Sequence, residues 1–377
     1  MRLKLAIPLL LLVFLWPNAA VSAGTEGSSW TSDNDMLLFY EALTRLQTNR
    51  LEPMPSRQVV QQAIRCSVKQ LDRFSDYLSP EEYRAYKASL NSRYAGVGME
   101  LSVGLSGRIV CIPYPKGPAE RAGIGYGDVL IAVNGQSIAG ESLFLVGARI
   151  RGEAGARVSL TVQKATGPPR EIAMVLEPFQ FQSVLCDDAG PVPVIRIIRF
   201  TAETAQELKD AVLKRVVGRS KVIDLRGNTG GDLFAAVDAA ALFLKTGSKI
   251  VELKTRQGNQ AYWARRDPLD EKSPLFLWQD DQTASAAEVF IAALTQNRRA
   301  VSIGRPSYGK GVAQRFIDLT DGSALFLTYG VLYPPGGTSF HQQGLNPTYT
   351  PADESGAPEE QSAYMSRVKD LLTVRKP

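Results

Sequence analysis

Two short stretches carry residue types that could do acyl chemistry. In 281–294, DQTASAAEVFIAAL, Ser285 stands among alanines where an apolar run begins. Ala286, Val289, Phe290, Ala293 and Leu294 keep a helical period, which puts Ser285 near a helix start. The first N–H groups of a helix lack partners, and the dipole there favours negative charge. A hydroxyl so placed can attack a carbonyl, and the adjoining backbone can hold the oxyanion. The same position equally suits a serine that only caps a buried helix. In 304–314, GRPSYGKGVAQ, Lys310 lies between Gly309 and Gly311 after the strand-like 300–303. A lysine flanked by glycines can lie against neighbouring backbone, and desolvation there would lower its pKa and make it a base. The plain alternative is a solvated loop lysine. The chain has one histidine, His341, in the polar loop 336–344, and it reads as incidental. A serine nucleophile in such a chain must look to another base, and serine–lysine pairs are a known variant.

TASAAEV followed by GRPSYGKGVAQ resembles the catalytic core of the carboxyl-terminal processing (tail-specific) serine proteases. The resemblance implies Ser285 as nucleophile, Lys310 as general base and Gln314 as the residue that steadies the lysine. It extends to 226–231, Arg-Gly-Asn-Thr-Gly-Gly, between the apolar strand 222–225 and a helix over 232–244. By itself this strand–glycine turn–helix is a backbone anion site, and it lacks the Gly-Lys-Ser/Thr ending of nucleotide loops. In the family this run supplies one oxyanion amide, which would be Gly231 with Gly230 the near alternative; Ala286 would supply the second. Ala287 replaces the family's frequent second serine, and Ser307 its usual threonine. The resemblance further implies a peptidase of a crotonase/ClpP-like α/β core, with no cofactor and no metal, acting on chains with a free carboxyl terminus and open to an activating adaptor.

Residues 94–178 resemble a PDZ domain, and 96–99, Gly-Val-Gly-Met, its carboxylate loop. Glycines let successive N–H groups converge on a carboxylate, and a following strand edge can add the peptide as one more strand. The backbone of Gly98 and Met99 is therefore the expected peptide-binding element. The runs 117–124, with its glycine stop, and 127–135, ending in Asn-Gly, support the domain. A helix is expected over 141–151 and a closing strand over 158–162.

The elements that must position these groups follow from the rest of the chain. Residues 1–23 read as a secretory leader, with Arg2 and Lys4 before the apolar run 5–16 and small residues at 21–23. Export to the periplasm or beyond is the corresponding expectation. Residues 24–93 form a helical region that serves as scaffold or dimer surface, and Ser79-Pro-Glu-Glu82 is a helix start with a capping box. From 179 to 352 strands and helices alternate, as an α/β protease domain requires. The segment 254–272 reads as a polar loop near the cleft, and 353–377 as a tail with a helix over 362–374. The expected architecture is thus α+β and multidomain. The 43 basic and 38 acidic residues give a net charge of +5, too mild to argue for nucleic acid. Three scattered cysteines, Cys66, Cys111 and Cys186, exclude a dense disulfide framework and leave room for one bridge. Two other classes fit parts of the pattern: a noncatalytic periplasmic PDZ scaffold, and an acyl-CoA hydrolase of crotonase-like fold.

Overall fold

In a computed structural model the described residues are 33–52, 54–91, 95–104, 107–164, 166–179, 181–352 and 361–374. The expected leader and the stretch 353–360 of the tail lie outside them. The chain divides into two compact units, residues up to 179 with 316–327, and 180–315 with 328–377.

The first unit opens with helices α1 (Asp33–Asn49), α2 (Ser56–Lys69) and α3 (Pro80–Asn91). The expected capping box is present: Ser79 N–H donates to Glu82 Oε2 at 2.7 Å, and Glu82 N–H to Ser79 Oγ at 3.2 Å. The region is not wholly helical. Strand β1 (Asp76–Leu78) interrupts it and pairs antiparallel with 324–326, a partner some 250 residues away that no local pattern reveals. The PDZ portion follows with β2 (Ala95–Gly96), β3 (Met99–Val103), β4 (Ile109–Pro113), helix α4 (Pro118–Arg121), β5 (Val129–Val133), β6 (Gln136–Ser137) and α5 (Leu143–Arg149). It continues through β7 (Arg151–Gly152), β8 (Arg157–Gln163), β9 (Arg170–Val175) and β10 (Glu177–Pro178). The sheet order is β3-β4-β5-β8-β9, so β8 does not close the domain as its alternation suggested; β9 does. Strand β3 is an edge. Val133, Val146, Leu160 and Val162 are fully buried at the centre of this core, together with the thiol of Cys111.

The second unit holds β11 (Val184–Asp187), β12 (Val194–Ile197), α6 (Thr204–Ala211), β13 (Lys221–Asp224), α7 (Leu233–Ala241), β14 (Lys249–Thr255), β15 (Gly258–Trp263) and β16 (Leu275–Gln279). After these come α8 (Ala286–Gln296), β17 (Val301–Gly304), β18 (Val312–Asp318), β19 (Ala324–Tyr333) and α9 (Gln361–Val374), with residues 316–318 of β18 and 324–327 of β19 counted in the first unit. Strands β12, β13, β16 and β17 run parallel in that order, with β11 antiparallel at one edge. Their residues are apolar on both faces because both faces are covered. Ile195, Ile197, Ile223 and Leu277 pack under α6, α7 and α8, while Val222, Phe276, Trp278 and Ile303 pack with Tyr364 and Val368 of α9. The segment expected as a polar loop, 254–272, instead begins within a hairpin: β14 pairs with β15 from Lys249↔Trp263 to Thr255↔Gly258. Its exposed side chains gave it the polarity of a loop; β15 is exposed at nearly every position. All three cysteines are free thiols.

Candidate active site

Ser285 sits where β16 hands over to α8. The turn between them is tied down by buried polar groups. Asp280 Oδ1 accepts from the Thr283 N–H at 2.9 Å, and the Thr283 hydroxyl donates to Leu225 O at 2.9 Å. The Ala284 N–H donates to Asn228 O at 2.9 Å. Ser285 then adopts φ 57° and ψ −118° as the N-cap of α8. A non-glycine residue in that region costs on the order of 1–3 kcal/mol and persists only where its surroundings impose it.

Much of that imposition comes from Glu288, one turn into α8 and fully buried. Its Oε2 accepts the backbone N–H of Ser285 at 2.7 Å and that of Lys310 at 2.8 Å. Its Oε1 accepts the Ser307 hydroxyl at 2.6 Å and the Gly309 N–H at 2.7 Å. Two residues 25 apart in sequence therefore share one oxygen, and their nitrogens lie no farther apart than about two hydrogen-bond lengths. Burial pushes the Glu288 carboxyl above its usual value, while the four bonds pull it back. Three of the partners are backbone N–H donors and the fourth is a hydroxyl, so the carboxyl acts chiefly as an acceptor.

Lys310 is half-buried rather than enclosed. Gly309 accepts the Gln342 N–H at 2.9 Å, and a methyl group at Gly311 would lie 2.8 Å from the His341 nitrogen. The loop with the chain's single histidine therefore packs against the lysine turn; its place is structural, closer than the expectation of an incidental loop allowed. Gln314 follows on β18, and its amide donates to Thr328 Oγ1 of β19 at 3.1 Å.

The glycine turn after β13 meets Ser285 directly. Gly230 has φ 107°, and a methyl group there would lie 2.8 Å from Ser285 Cβ and 2.9 Å from Ala284 O. No other residue allows that approach. Gly231 has φ 130°, and its missing side chain would overlap the Phe200 carbonyl. Asn228, itself buried, holds the turn: Nδ2 donates to Ile197 O, and Oδ1 accepts the Gly230 N–H, both at 2.8 Å. The Gly230 N–H is thus engaged. The N–H groups of Gly231 and Ala286 have no hydrogen-bond partner among the described residues. Helices α7 and α8 both begin beside this contact, so two positive dipole ends face the same place.

Gly98 and Met99 belong to the first unit. Gly98 has φ 66°, its carbonyl accepts the Tyr114 N–H at 3.0 Å, and Met99 starts the edge strand β3.

Sequence reasoning missed Glu288, Asn228, Ser307 and Thr283 as site builders. Glu288 had a signal, because Ser285-Ala-Ala-Glu288 is a capping-box pattern. The others bond to partners remote in sequence.

Comparison with known proteins adds the following. Residues 192–350 match Peptidase family S41, and residues 109–164 match the PDZ domain. The chain is 34% identical over 310 residues to a probable CtpA-like serine protease of Staphylococcus aureus (strain bovine RF122 / ET3-1), covering 81% of this chain and 62% of that relative. It therefore spans less than two thirds of that protein's length. It is 28% identical over 363 residues to a carboxy-terminal-processing protease of Bartonella bacilliformis, covering 93% of this chain and 83% of the relative. Among solved structures, the photosystem II D1 C-terminal processing protease superposes with a TM-score of 0.68 at 26% identity, over 89% of this chain and 97% of that one.

Proposed function

We propose, from the match of residues 192–350 to peptidase family S41 and of residues 109–164 to the PDZ domain, that the chain is a carboxyl-terminal processing serine endopeptidase using Ser285 and Lys310. The supporting observation is the shared Glu288 oxygen, which gathers the serine turn and the lysine turn at one point.

The amine of Lys310 takes the proton of the Ser285 hydroxyl, and Oγ attacks the peptide carbonyl. The N–H groups of Gly231 and Ala286 receive the oxyanion, aided by the first turns of α7 and α8. Lys310 then passes the proton to the leaving amine, and water releases the acyl group. Gln314 acts from β18, on the strand that leads out of the lysine turn. The PDZ portion takes a free carboxyl terminus at Gly98 and Met99, and the open edge of β3 adds the peptide as a strand. Domain limits of 94–178 for this portion and 179–352 for the protease follow from the same reading.

Self-association or an adaptor has a place to act. Helix α1 has no buried residue, and Met36, Leu37, Leu38 and Tyr40 are each more than half exposed. Export rests on the leader-like composition of 1–23 alone. The matches lend no support to a noncatalytic scaffold or an acyl-CoA hydrolase.

The test is cleavage of a protein ending in a free, unstructured tail. Ser285→Ala should abolish it, and so should Lys310→Arg, because arginine keeps its proton. Unchanged turnover in either variant overturns that residue's role. Comparison of exported protein termini in wild-type and Ser285→Ala cells would then identify natural substrates.

A further inference from the structure

The first turn of α7 carries a residue that packing does not explain. Gly231 is followed by Asp232, which caps the helix by accepting the Ala235 N–H at 2.8 Å, and by Leu233, packed against the core. Phe234 comes next and is 49% exposed, while Ala235, Ala236 and Val237 behind it are buried. A phenylalanine left half open three positions from a proposed oxyanion donor presents a large apolar surface.

It is not isolated. The Tyr262 ring of β15 packs edge-on against Phe234, with centroids 5.7 Å apart and planes at 70°. Tyr262 is partly buried against the core. Its phenol is pushed up first by burial and then by the nearby Tyr329. Tyr329 lies on β19 next to Thr328, the residue that accepts the Gln314 amide, and the Arg315 guanidinium stands 5.0 Å over its ring. The Phe234 and Tyr262 rings thus join the helix that follows Gly231 to β15.

Resting on the peptidase reading above, we infer that Phe234 and Tyr262 form the subsite for the substrate side chain on the residue whose carbonyl is attacked, and that this subsite selects large apolar side chains. The attacked carbonyl must reach the Gly231 N–H, and the side chain of the same residue branches one bond away. Phe234 stands three residues after Gly231, in the first turn of the helix into which the glycine turn leads, and offers exposed apolar surface there. Covering it with a leucine or phenylalanine side chain removes apolar area of both partners from water, and the fixed edge-on ring of Tyr262 limits the depth of the site. An alanine at that substrate position leaves Phe234 wet.

The experiment uses the full chain and two internally quenched peptides with the same free carboxyl tail. They differ only at the residue before the cut, leucine in one and alanine in the other, and the cut is mapped by mass spectrometry. Wild type should favour the leucine peptide in kcat/KM, and Phe234→Ala or Tyr262→Ala should reduce that preference about tenfold. Phe234→Leu, which keeps an apolar side chain, should retain part of it. A Ser285-dependent enzyme whose preference is unmoved by both alanine variants overturns the subsite while leaving the peptidase reading intact. A protein inert toward both peptides, or one whose cleavage survives Ser285→Ala, overturns both.

Discussion

Glu288 is the residue on which the serine and lysine turns depend together. It accepts four hydrogen bonds, two on each oxygen, and three of them come from the backbone of the residues that bracket the chemistry. Glu288→Gln preserves size but replaces one acceptor oxygen with an NH2 group, which meets donors. Each buried donor left unsatisfied costs about 1–3 kcal/mol. We expect Glu288→Gln to fold less stably, and its turnover number to fall by more than about tenfold, with the strained Ser285 backbone relaxing. Binding of a carboxyl-terminal peptide by the PDZ portion should be unchanged, which a titration with labelled peptide checks. Full activity in this variant would show that both turns hold their shape without the carboxylate.

At the scale of elements, the site is built by two strand-to-helix handovers, β13 to α7 and β16 to α8, brought into contact. Parallel neighbours make this possible, because β13 and β16 pair directly and end on the same side. Gly230 is the point of contact. Gly230→Ala would put a methyl group 2.8 Å from Ser285 Cβ at a φ of 107°, so both the turn and Ser285 must shift. Loss of one oxyanion donor typically costs about two to three orders of magnitude in rate, and that is the expected fall in kcat for Gly230→Ala. Circular dichroism should show the helices intact. A fall confined to KM would place the glycine in substrate binding instead.

For the molecule as a whole, one buried ion pair ties stability to pH. Lys221, at the start of β13, is fully buried and its ammonium lies 2.5 Å from Asp270 Oδ2. Burial works to raise the Asp270 carboxyl, but Lys221 and Ser273 outweigh it and hold it at about 2. Lys221 is itself pulled down by burial against the pull of Asp270, so the pair's net contribution is smaller than the aspartate alone indicates. An aspartate depressed in the folded state stabilises the fold above its unfolded pKa of about 3.9. That contribution should be lost as pH falls from about 4 toward about 2. Urea midpoints across this range should decline in wild type and decline less in Asp270→Asn. The variant should also be less stable at neutral pH, by about 3–5 kcal/mol, because it leaves a buried ammonium unpaired.

The sequence by itself determined the nucleophile candidate, the lysine turn, the glycine turn and the alternation of strands and helices around them. Each is written in neighbouring residues: small side chains about Ser285, glycines about Lys310, apolar runs for doubly covered strands. Tertiary structure alone decided which groups meet. β1 needed a partner in β19, the exposed hairpin of β14 and β15 hid its pairing behind loop-like polarity, and Asn228 took the Gly230 N–H, while that of Gly231 has no partner among the described residues. The physical reason is plainest for β1 and β19. A hydrogen bond between segments remote along the chain leaves no period in either one, so only the folded backbone discloses it.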